Sequence, residues 1–89
     1  MNKKTMALYE TNHKGPFFVS SVPDVKLLEN LGLRVGTKID IQNRYAFGGP
    51  VLLRVEDAFS VAVGKDIAKQ ISVTEISAEE LHLMEETAV

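Results

Sequence analysis

From Thr37 to Tyr45 the chain alternates apolar and polar residues with a period of two, a pattern that returns after a short loop, and this constrains its fold more than any other feature. Successive side chains of a strand point to opposite faces, whereas a helix repeats every 3.6 residues, so the pattern specifies half-buried strands. Ile39, Ile41 and Tyr45 fall on one face, with Lys38, Asp40, Gln42 and Arg44 on the other; Asn43 interrupts the apolar face. Val51, Leu53 and Val55 form a second set and Phe59, Val61 and Val63 a third. Between the first two sets lie Gly48 and Gly49, which tolerate positive φ, and Pro50, which fixes re-entry into the next strand. Asp57 and Ala58 mark a tight reversal between the second and third, so an antiparallel meander is expected.

Upstream, Phe17, Phe18, Val19 and Val22 lie between Pro16 and Pro23, a strand bounded at both ends. One of the two adjacent phenylalanines is expected in the core and the other partly exposed. Asp24 is placed to cap a helix carrying Val25, Leu27, Leu28 and Leu31, with all three leucines expected in the core and Gly32 at the left-handed C-terminal position. Met6, Leu8 and Tyr9 suggest a brief strand or docked arm. Downstream, Gly64 ends a strand, Asp66 to Gln70 would make one helical turn, and Ile71, Val73 and Ile76 supply a last strand. Ser77 and Glu80 have capping-box spacing, and Leu81 and Met84 share one face of a C-terminal helix. The expected fold is mainly β: a small antiparallel barrel of five short strands with one inserted helix and a C-terminal helix. One domain is expected over 1–89, with a core from about 5 to 76 and a helical extension over 77–89.

With 89 residues and no cysteine, disulfides, thiolate metal sites and cysteine nucleophiles are excluded, and stability must come from packing. A net charge of -2 with interspersed signs gives no broad cationic surface for a phosphate backbone. Lys38 and Arg44 share a face with Asp40, which further disfavours nucleic acid. The apolar stretch after Lys3 and Lys4 gives way at once to Tyr9, Glu10 and Thr11, and no run approaches the roughly 20 residues that span a bilayer. A cytoplasmic protein without membrane insertion is expected.

Catalysis needs a nucleophile or a tuned acid–base pair held close to its helper, and the chain offers little of this. His13 and His82 stand far apart and read as solvated side chains. Glu56 and Asp57, with His82 or the tail glutamates, would make a weak hard-ligand site for Fe²⁺ or Mn²⁺; the competing reading is an ordinary acidic turn. Gly48, Gly49 and Pro50 lack the Lys and Ser/Thr of a phosphate loop and read as turn chemistry. Beside them, Tyr45 and Phe47 are aromatics of the kind enriched where proteins meet partners.

The segment LLENLGLRVGTKIDIQNRYAFGGP, from Leu27 to Pro50, resembles the signature of the FeoA family. Leu31, Gly32 and Leu33 match its leucine-glycine-leucine step, Gly36 and Thr37 its glycine-threonine step, and Gly48, Gly49 and Pro50 its loop. Val35 departs from the pattern, standing where many relatives have proline. The resemblance extends through Val51, Leu53, Val55, Val61, Ala62, Val63, Ala68 and Ile71. It implies an SH3-like barrel and a non-enzymatic accessory role in bacterial ferrous-iron uptake, exercised by contact with the cytoplasmic part of a FeoB-type membrane transporter. No tightly bound cofactor is implied. Because the same domain type ends metal-dependent repressors, the alternative implied is a sensing domain that binds Fe²⁺ or Mn²⁺ through carboxylates.

Overall fold

The computed structural model describes residues 5–11, 14–77, 79–80 and 82–83. Six strands, β1 (Thr5–Ala7), β2 (Pro16–Ser21), β3 (Lys38–Arg44), β4 (Val51–Val55), β5 (Phe59–Val63) and β6 (Ser72–Glu75), form one antiparallel sheet in the order β1-β6-β2-β3-β4-β5. Two short helices, α1 (Lys26–Asn30) and α2 (Lys65–Ala68), and a 3₁₀ turn at Leu8–Glu10 complete the fold. The expected meander is β3-β4-β5, and the N-terminal arm supplies the sixth strand by pairing Met6 with Val73.

Alternate residues of the sheet build one core. Phe17, Val19, Ile39, Ile41, Leu53, Val55 and Val73 are almost wholly buried, with Leu8, Leu28, Leu33, Ala68 and Ile71 packed among them. Phe17 is the core member of its pair and Phe18 is half-buried. Phe17 alone removes about 150–250 Å² from water, worth about 1.5–3 kcal/mol.

Two expectations change at β3. Ile41 pairs with Leu53 but Asn43 pairs with Leu52, so Gln42 is an extra residue and a bulge shifts the alternation. Tyr45 is thereby released from the core face to become 48% exposed, while Arg44 is brought opposite buried Val51. Desolvation of the half-buried Arg44 guanidinium holds its pKa below the usual arginine value, and one of its terminal nitrogens has no hydrogen-bond partner among the described residues. Arg44 therefore does not share the outer face of Lys38 and Asp40.

Helix α1 is shorter than expected. Val25, not Asp24, occupies its N-cap position, in extended conformation and with no side-chain cap. Leu28 is buried and Leu31 half-buried, but Leu27 is 61% exposed, so the three leucines do not form one core stripe.

The barrel is not closed. Among the described residues no ladder joins β1 to β5. The segment from α1 to Gly36 faces β5 instead, through side chains: a Cβ on Gly32 would lie 3.8 Å from Phe59 Cζ. At the other end, Ser77 Oγ accepts from the Glu80 N–H at 3.1 Å while the Glu80 carboxylate accepts from Ser77, and residues 79–80 and 82–83 are helical. The capping box thus forms as its spacing predicts. Leu81 and Met84 lie outside the described residues, as does His13.

Candidate functional site

The Leu31–Thr37 step is a structural hub. The N–H of Leu33 donates to the Leu28 carbonyl at 2.9 Å and that of Gly32 to Glu29 at 3.0 Å, with Gly32 at φ +78. These are the paired bonds of a Schellman ending, with Leu28 and Leu33 making its hydrophobic contact in the core. Thr37, 5% exposed, donates from Oγ1 to the Gly32 carbonyl at 2.9 Å and accepts from the Arg34 N–H at 3.3 Å. Gly36 at φ +93 closes a turn in which Thr37 donates to the Arg34 carbonyl, and Gly36 and Thr37 then bond with Val19 of β2. Leu33 and Thr37 are buried by this arrangement, while Arg34, Val35 and Gly36 remain exposed.

The β3–β4 loop is exposed. Phe47 is fully accessible and sits at φ +59, a conformation uncommon for a bulky side chain. Gly48 follows at φ +78, but Gly49 does not share the positive φ expected of it. Gly49 is required for space: a Cβ there would stand 2.7 Å from that of Tyr45. Tyr45 N–H to Pro50 carbonyl at 3.1 Å and Gly49 N–H to Ala46 carbonyl at 3.2 Å close the loop. An aromatic ring is thus held out in water by a hydrogen-bonded turn.

A second feature lies where α1 approaches β5 and α2. Leu27, Leu28, Leu31, Ala62, Val63 and Ile67 line an apolar cleft of about 150 Å³ with Gly64 at its edge. Sequence reasoning assigned the three leucines among them to the core. A signal was available in Leu27, which lies one residue off the Val25, Leu28, Leu31 spacing and so about 100° around the helix from it. The loop and cleft are neighbours: a Cβ on Gly48 would lie 3.6 Å from Cδ of Lys65, which follows Gly64. The Lys65 ammonium stands 5.9 Å from the centre of the Tyr9 ring, a cation–π contact.

Glu56 and Asp57 turn the chain between β4 and β5 at φ 51 and 58, the signs a type I′ turn requires, with Ala58 N–H donating to the Val55 carbonyl at 2.9 Å. Their carboxylates are engaged by Lys38. Its ammonium donates to Asp57 Oδ2 at 2.9 Å and its backbone N–H to Glu56 Oε1 at 3.0 Å. Asp57 first, and Asp40 at 3.7 Å after it, raise the Lys38 pKa against the opposing effect of desolvation. His82 is exposed, and the structure does not bring it together with Glu56 and Asp57: among the described residues no three His, Cys, Asp or Glu side chains are grouped to hold a metal.

Sheet order, short helices and glycine turns together define a mainly β, SH3-like protein. A model of the FeoA domain matches residues 6–75, and the chain belongs to the FeoA family. Solved structures agree. The FeoA iron uptake regulatory protein superimposes with a TM-score of 0.72 at 22% identity, covering 82% of this chain and 99% of that one. A FeoA-like protein from Clostridium acetobutylicum gives 0.70 at 28%, covering 86% and 92%. The manganese-activated repressor ScaR gives 0.72 at 29% over 80% of this chain, but the chain spans only 35% of the cadmium-bound form. No curated protein matches by sequence. FeoA is an iron-transport accessory family, not an enzyme family. No described helix is long and apolar enough to cross a membrane.

Proposed function

We propose that this chain is a non-enzymatic accessory module of bacterial ferrous-iron uptake that works in the cytoplasm by contact with the cytoplasmic part of a FeoB-type transporter. Family membership supports the setting, and the exposed Tyr45–Pro50 loop beside the Leu27–Ile67 cleft supports contact as the mode of action. The observation that carries it is Phe47, a fully exposed aromatic held in an uncommon backbone conformation. Strain of this kind persists only where the surrounding structure enforces it, and it concentrates at functional segments. Aromatic anchors and exposed apolar clefts are the usual centres of protein interfaces. Calorimetric titration with the transporter's cytoplasmic domain is expected to show saturable binding that Phe47→Ala or Leu27→Asp weakens at least tenfold; no heat at high micromolar concentration rejects direct contact.

The likeness to ScaR favours a second reading, in which Fe²⁺ or Mn²⁺ binds carboxylates and alters a partner's affinity. Glu56 and Asp57 would then have to exchange Lys38 for the cation. Saturating, localised NMR broadening at Glu56 and Asp57 on adding Mn²⁺ would support it, and uniform weak broadening would reject it.

A further inference from the structure

We infer that Arg44 receives a carboxylate from the partner that docks on the Tyr45–Pro50 loop, so that this loop recognises an acidic segment. The inference rests on the contact reading above and adds the chemistry required of the partner.

The placement of Arg44 is costly. Uninterrupted alternation along β3 would set it on the outer face, with Lys38 and Asp40. The bulge at Gln42 turns it instead onto the face of Val51, which is 1% exposed. There the guanidinium is half-buried and one terminal nitrogen is shut off from solvent without a hydrogen-bond partner. No carboxylate is in a salt bridge with it among the described residues. Charges withdrawn from water are ordinarily paired, and an unfilled buried donor is a defect that folding alone does not favour. Bulges recur where a side chain must be re-aimed at a binding site. Arg44 has the character of a site whose counter-ion arrives from outside.

The surroundings set the ligand. Arg44 immediately precedes Tyr45, and Asn43 Oδ1 holds its backbone N–H at 2.8 Å, so it stands at the base of the loop. On the other side, a Cβ on Gly48 would lie 3.7 Å from Lys65 Nζ. Lys65 meets the Tyr9 ring and, among the described residues, is in no salt bridge, not even with Asp66 beside it in α2. Residues 45–50 contain no acid. Two cations therefore flank the exposed Tyr45 and Phe47, a surface complementary to an acidic residue next to an apolar one. The planar guanidinium offers paired N–H donors that match the two oxygens of a carboxylate. A nucleic-acid phosphate carries similar oxygens, but the net charge of -2 opposes a polyanion.

Thermal unfolding of the isolated chain tests the site without a transporter: about 200 mM sodium acetate should raise the midpoint by about 2 °C over sodium chloride of equal ionic strength. Arg44→Met keeps the aliphatic stem and removes the charge, so it should lose this difference and, in chloride, unfold no lower than the parent. On the unaltered chain, acetate should also shift the Arg44 Nε–H signal and the amides of residues 45–49 in a saturable way. Equal midpoints in acetate and chloride, or no localised shift, overturn the proposal. So does an acetate effect that persists in Arg44→Met, or clear destabilisation by that substitution. Inorganic phosphate acting where acetate does not assigns the site to phosphate ligands and rejects the acidic segment. An acetate effect at Arg44 without binding of the transporter domain keeps the carboxylate site and removes only the transporter as its source.

Discussion

A Cβ atom on Gly49 would stand 2.7 Å from the Cβ of Tyr45, closer than side chains approach in folded proteins. The exposed loop is therefore fixed by contact at one glycine and by conformation at the next. Gly49→Ala should cost about 2 kcal/mol as the backbone shifts to relieve the overlap. Gly48→Ala should cost about 1 kcal/mol, through its positive φ alone. Urea unfolding of both variants would separate the two causes.

Val35 precedes Gly36 in the Arg34–Thr37 turn, at the position where proline is favoured when the following residue has positive φ. It is 65% exposed. Val35→Pro should stabilise the protein by about 0.4–1 kcal/mol by restricting the unfolded chain. A lower midpoint in thermal unfolding would refute the turn assignment.

Adjacent leucines of α1 should respond differently. Leu28→Ala removes a 3% exposed core side chain and should cost about 2–5 kcal/mol. Leu27→Ala should change stability by less than about 0.5 kcal/mol. Chemical denaturation reads both, and equal losses would contradict the orientation of α1.

Lys38 gives the protein an alkaline sensitivity. Because the ion pair with Asp57 raises its pKa in the folded state, the stabilisation is fully present below the ordinary value of 10.5 and fades as pH rises through the higher folded value. Asp57 is 70% exposed, so solvent screens the pair and the effect is at most about 1 kcal/mol. Thermal midpoints measured from pH 9 to 12 should fall more steeply for the parent chain than for Lys38→Met.

Ser77→Ala should remove one half of the capping box and lower helicity at residues 79–80 and 82–83, at a cost of about 1 kcal/mol. Carbon chemical shifts of residues 79, 80, 82 and 83 would report the loss, with the shifts of β1 to β6 unchanged.

Strands β2 to β6 and the ending of α1 were legible because period-two alternation and the glycine at the Schellman position are local signals. What escaped depends on partners distant in sequence. The bulge at Gln42 is visible only in the pairing with Leu52 and Leu53, yet it decides that Tyr45 faces water and Arg44 the sheet interior. The exposure of Leu27 depends on how closely α1 approaches β5. The loop at Tyr45–Pro50 was recognisable as a site by its composition; its adjacent cleft, assembled from α1, β5 and α2, was not. Glu56 and Asp57 are locally an acidic pair, and only the fold shows Lys38 on both.

Where α1 meets β5, no backbone hydrogen bond crosses between them among the described residues. Elsewhere in the sheet, separating two strands requires breaking several such bonds together. Here the join consists of side-chain packing, so it is the cheapest place for the molecule to open. Amides of Leu27 to Asn30 are therefore expected to exchange with solvent through a local excursion that leaves the six strands intact. The fold has a built-in weak line, and it runs along the cleft.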